Sequence, residues 1–119
     1  MSEREVREPT AEHPITITPT GKRVTVRING TVIADIDDAL TLQESTYRPV
    51  QYLPLADVVA GQLTRSATTT YCPYKGDAGY YHAAGVDDVI WTYENPYPAV
   101  VAIAGRVAFY PDKAQITVE

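Results

Sequence analysis

Two runs of alternating apolar and polar residues, Arg23 to Ile28 (RVTVRI) and Thr31 to Asp35 (TVIAD), are joined by Asn29-Gly30. A two-residue hairpin turn of type I′ needs positive φ at both central positions, and Asn followed by Gly meets that demand with least strain. The step therefore fixes a β-hairpin early in the chain. It also sets a period-two pattern of which side chains point inward. The same alternation recurs in Ile15 to Thr18 and in Ala39 to Glu44, where Leu40 and Leu42 share a face. Tyr47 to Leu53 reads as a short strand interrupted by Pro49, and Pro54 is placed to open a turn of helix. Ser66 to Cys72 is β-branched and strand-like. Tyr80 to His82, Val89 to Tyr93, Val107 to Tyr110 and Gln115 to Val118 complete the strands, with Pro73 to Gly79 read as loop. Ala99 to Ala104 is too short an apolar run for periodicity to choose between helix and buried strand. The expected fold is mainly β with one or two short helices.

A chain of 119 residues holds one hydrophobic core, and 45% hydrophobic against 21% charged residues is the composition of a folded domain. Met1 to His13 alternates charges around a single Val, so residues 1–13 read as a disordered or extended tail and 14–119 as the domain. The net charge of −5 argues against a nucleic-acid partner, which needs a basic face. A lone cysteine, Cys72, excludes an internal disulfide and suits a reducing compartment. No apolar run approaches the roughly 20 residues of a membrane span, and no signal-peptide core opens the chain. A cytoplasmic protein without a membrane partner is expected, and exposed strand edges favour a homodimer. There are nine Tyr against one Trp and one Phe, and seven of these eleven aromatics lie between Tyr71 and Tyr97. Tyr brings a hydroxyl that needs a partner when buried. Such a cluster lines a polar pocket or, alternatively, decorates strand faces.

The stretch Thr70-Tyr71-Cys72-Pro73-Tyr74-Lys75-Gly76-Asp77-Ala78, followed by Tyr80-Tyr81, resembles the signature of the DUF427 family. Further pieces agree in order: Asn29-Gly30 with Ala34-Asp35, Pro49 to Pro54, Trp91-Thr92-Tyr93-Glu94 with Pro96, and Ala108-Phe109-Tyr110. The resemblance runs from about His13 to Val118. It implies a single-domain Mss4-like, or β-tent, arrangement of sheets. Many relatives in that fold group carry two Cys-x-x-Cys zinc ribbons. One Cys and two His cannot build such a site within one subunit, so no metal and no cofactor are expected. A nucleotidyltransferase label sometimes attached to such families finds no support here. There is no Gly-Ser followed by an Asp-x-Asp pair, and no phosphate-cradling glycine loop.

Cys72 and Lys75 flank Pro73-Tyr74 in a stiff turn. An ammonium close to a thiol favours the nucleophilic thiolate, whereas a Cys at a strand end is commonly just buried. Lys75 either binds an acidic ligand or pairs with Asp77 or Glu94. Trp91 and Tyr93 share a strand face, with Glu94 at its end; this is a core anchor or the mouth of a cleft in which Glu94 does acid–base work. His82 with Asp87 or Asp88 makes a weak base–orienter pair, and a surface His is the simpler account. The preferred function is binding of a small molecule in an aromatic pocket walled by Tyr74, Tyr80, Trp91, Tyr93 and Tyr110. Lys75 and Glu94 would be its polar handles. Removing Lys75 should then abolish binding with only a modest loss of stability. The competing reading is a small enzyme using Cys72, Lys75 and Glu94 as nucleophile and acid–base groups.

Overall fold

Asn29 and Gly30 sit at φ 50° and 83°, and the turn they make joins β2 (Val24–Ile28) to β3 (Thr31–Ile36), with Ile28 opposite Thr31. Val24, Val26 and Ile28 are all buried, as period two requires. β10 (Gln115–Val118) adds to β2, so the smaller sheet runs β10-β2-β3. A computed structural model describes residues 4–58 and 63–119. Its larger sheet contains β1 (Ile15–Pro19), β4 (Leu40–Glu44), β5 (Val50–Pro54), β9 (Arg106–Phe109), β8 (Val86–Thr92), β7 (Gly76–Ala83) and β6 (Leu63–Cys72), in that order. Neighbouring strands pair antiparallel throughout. The protein is mainly β, and among the described residues the helical structure is 3-10, at Leu55–Asp57, directly after Pro54, and at Pro98–Ile103. No described helix is long and apolar enough to cross a membrane.

Alternation divides the large sheet's side chains between two apolar clusters. Leu53, Ile90, Val107 and Phe109 turn towards the small sheet and pack on Val24, Val26, Ile28 and Ile33. Their neighbours Tyr52 and Ala108 face the other way and join Leu42, Tyr80, Tyr93, Val100 and Ile103. The ambiguous run at Ala99 to Ala104 is thus a 3-10 segment that buries Val100 and Ile103 against this second face.

The loop expected at Pro73 to Gly79 is shorter than its punctuation suggests. Lys75 N donates to Cys72 O, closing the turn, and β7 begins at Gly76, with Asp77, Ala78 and Gly79 paired to Tyr71, Thr70 and Thr69. Gly79 belongs in a strand because the Arg65 guanidinium crosses it, where a Cβ would collide.

Two features of the large sheet position the site. β5 and β9 are bonded through only Leu53↔Val107 and Pro54↔Arg106, so their other ends diverge into a fork. β4 and β7 stand four places apart in the sheet order, yet the end of β4 meets the start of β7. The sheet therefore curls back on itself around its second face.

Candidate functional site

The curled face encloses a cavity of about 210 Å³. Leu42 and Glu44 reach it from β4, Val50 and Tyr52 from β5, Tyr80 from β7 and Trp91 from β8, while Tyr93, Tyr110, Lys75 and Arg48 close its rim. Lys75 is only 7% exposed, and its Nζ donates to Glu44 Oε1 at 2.5 Å. The second oxygen of Glu44 bonds His13 Nε2 at 2.8 Å. Burial pushes the Glu44 carboxyl upward, but the hydrogen bonds from Lys75 and His13 outweigh it, and the net shift is below the ordinary carboxylate value. Glu44 is thus held as the anion between two donors.

The aromatic walls are arranged around Trp91. Its indole packs against Tyr110, with centroids 4.5 Å apart and planes tilted by 50°, and its Nε1 donates to Tyr52 Oη at 3.1 Å. Tyr80 stacks parallel to Tyr110, and the two hydroxyls lie 3.3 Å apart; Thr70 Oγ1 bonds Tyr80 Oη at 2.9 Å. Burial, foremost, raises the hydroxyls of Tyr52, Tyr93 and Tyr110 above the ordinary phenol value, so they remain O–H groups throughout the neutral range. Tyr93 is 8% exposed, and its hydroxyl has no hydrogen-bond partner among the described residues. The cavity therefore offers flat apolar walls with hydroxyl, ammonium and carboxylate groups set between them.

A sequence profile of the domain of unknown function DUF427 matches residues 16–119. The chain belongs to the DUF427 family. No curated protein sequence matches it. In this DUF427 domain, the pieces of sequence that mark the family converge on the cavity from distant positions. Lys75 comes from the Cys-Pro-Tyr-Lys-Gly turn, Tyr80 from the paired aromatic, Tyr52 from Pro49 to Pro54, Trp91 and Tyr93 from Trp-Thr-Tyr-Glu, and Tyr110 from Ala-Phe-Tyr.

Of the expected site residues, Lys75, Tyr80, Trp91, Tyr93 and Tyr110 stand together at the cavity; Tyr74 and Glu94 do not join them. The Tyr74 ring stacks on His13 at 4.4 Å, outside the cavity wall. Glu94, its side chain 55% exposed, pairs with Arg65 at 2.8 Å. Nor does Asp77 hold Lys75, because it takes Arg4 instead. The carboxylate beside Lys75 is Glu44. Its signal lay in the alternation: Glu44 stands two residues beyond buried Leu42 and so continues the inward row. Arg48, Val50 and Tyr52 line the cavity too, brought beside β4 by a strand pairing that is not written in their own segment. Cys72 is half-buried, with Sγ 3.8 Å from Lys75 Nζ. The Nδ1 of His82 accepts from the Asp88 backbone N at 3.0 Å and lies 3.6 Å from the carboxylates of Asp87 and Asp88, and none of the three lines the cavity. Among the described residues no three His, Cys, Asp or Glu side chains are grouped to hold a metal ion.

Proposed function

We propose that this DUF427 domain binds a small ring-bearing molecule in the tyrosine-lined cavity, without chemical turnover. The observation that carries the reading is the pairing of buried Lys75 with half-buried Glu44 at a cavity walled by Tyr80, Trp91, Tyr93 and Tyr110. A planar ligand gains stacking and dispersion from these walls, and the polar groups set its orientation. Tyr93 supplies a hydroxyl that has no partner among the described residues and is open to bond. The volume lies below the range of about 300–1,000 Å³ that drug-sized ligands occupy, which selects a single ring with few substituents. The enzyme reading is weaker for a specific reason. Lys75 is engaged by Glu44, which neutralises the charge that a nucleophilic Cys72 would need.

Trp91 is the sole tryptophan and stands in the cavity wall, so its fluorescence reports on the site directly. The test is titration with monocyclic compounds, phenol and imidazole among them. Saturable quenching is expected, weakened severalfold by Tyr93→Phe and by Glu44→Gln. Quenching that ignores both substitutions, or none with any compound, overturns the reading.

A further inference from the structure

Behind Trp91 the fork between β5 and β9 opens into a second concavity of about 340 Å³. Its surface is mostly apolar, built by Pro49, Phe109, Pro111, Ile116 and Val118. It shares Arg48, Val50 and Trp91 with the tyrosine-lined cavity, so these residues stand between the two spaces. Arg4, Arg7, Arg23 and Arg65 each meet a carboxylate. Arg27, Arg48 and Arg106 meet none among the described residues; Arg106 bonds the carbonyls of Asp38 and Tyr52 instead, and of the three only Arg48, which is exposed, lines both concavities. An exposed guanidinium without a carboxylate partner, set between a polar cavity and an apolar groove, matches a carboxylate that it can grip with two parallel bonds.

We propose that the two concavities form one site for an amphipathic carboxylate. Its hydrogen-bonding ring sits among the tyrosines, its carboxylate on Arg48, and an alkyl arm lies in the groove towards Val118. This rests on the cavity reading above and adds the ligand's charge and second arm. The connectivity is specific. Because Arg48 lies at the junction, the carboxylate must branch from the middle of the molecule, with the ring on one side and the chain on the other. An N-acylated aromatic amino acid has that layout.

The probes are N-acetyl-, N-butanoyl-, N-hexanoyl- and N-octanoyl-tyrosine with their uncharged carboxamides, titrated against Trp91 fluorescence excited where tyrosine does not absorb. Affinity should rise with chain length, by up to about fourfold for each methylene buried. Arg48→Gln should weaken the acids at least tenfold and leave the amides unchanged. Val118→Asp changes a side chain that is 42% exposed and so spares the core. It should flatten the chain-length dependence while N-acetyl-tyrosine still binds. Phenol needs only the tyrosine-lined cavity and serves as the control. If phenol quenches Trp91 but affinity ignores chain length, or acids and amides bind alike, the two-armed carboxylate is wrong and the cavity reading stands. If phenol and every acyl-tyrosine fail, both fall.

Discussion

Moving an ammonium and a carboxylate out of water costs several kcal/mol per ion, and only close contact with further hydrogen bonds offsets that. Lys75 and Glu44 meet at 2.5 Å, and His13 satisfies the second carboxylate oxygen. Removing Lys75 leaves the half-buried Glu44 with His13 as its remaining partner, and removing Glu44 leaves the buried Lys75 ammonium without its carboxylate. Lys75→Met should therefore destabilise the domain by roughly 3 kcal/mol in urea unfolding, and adding Glu44→Leu should recover much of the loss. This replaces the modest effect expected from the sequence, where Lys75 looked free to be removed. The pair also sets an acid response. Because the Glu44 carboxyl is depressed in the folded state, its stabilisation is complete above the ordinary value of 4.5 and is lost as pH falls through the folded value below it. The stability gap between wild type and Glu44→Gln should accordingly narrow as pH drops below about 4.5. A gap that stays constant to lower pH would show that Glu44 is not the group titrating.

At the scale of the element, the β2–β3 hairpin depends on φ 83° at Gly30, where nothing crowds an added Cβ and only the backbone conformation resists it. Gly30→Ala should cost about 1–2 kcal/mol and lower Tm by several degrees, with the structure otherwise unchanged. A substitution without effect on Tm would mean the turn relaxes to another type. This hairpin was legible because its whole cause is local: two residues and the alternation beside them. Wherever the cause is local the sequence is readable, as with Pro54 opening the 3-10 turn. It fails where partners come from afar. Lys75 and Glu44 are 31 residues apart, and their meeting depends on a curled sheet whose order is not written in either segment. Asp77 and Glu94 were nearer in sequence to Lys75, but Arg4 and Arg65 claim them across the fold. Gly79 looked like loop because a glycine in a strand is explained only by what lies over it, here the Arg65 guanidinium.

For the whole molecule, the same strands build both apolar clusters. β5 gives Leu53 to one and Tyr52 to the other, β9 gives Phe109 and Ala108, and β7 gives Ala83 and Tyr80. Neither cluster can loosen without disturbing the strands that hold its counterpart, so the domain should unfold in one cooperative step. Residues 4–14, ahead of β1, lie outside both clusters. Arg4 sits 3.7 Å over the Tyr71 ring, Tyr71 Oη donates to Glu5 O, Arg7 N donates to Pro73 O, and His13 covers Tyr74. These contacts are mostly exposed and add little apolar burial. Trp91 fluorescence reports the cavity side, and far-UV circular dichroism reports the strands. The two urea transitions should therefore superimpose in the full chain, and again after deletion of residues 1–12, which keeps His13 on Glu44. That deletion should lower the midpoint slightly and leave the slope m unchanged, because m follows the surface exposed on unfolding. If Trp91 fluorescence changed at lower urea than the dichroism, the cavity face would be a separately unfolding unit, and shared strands would not couple the clusters.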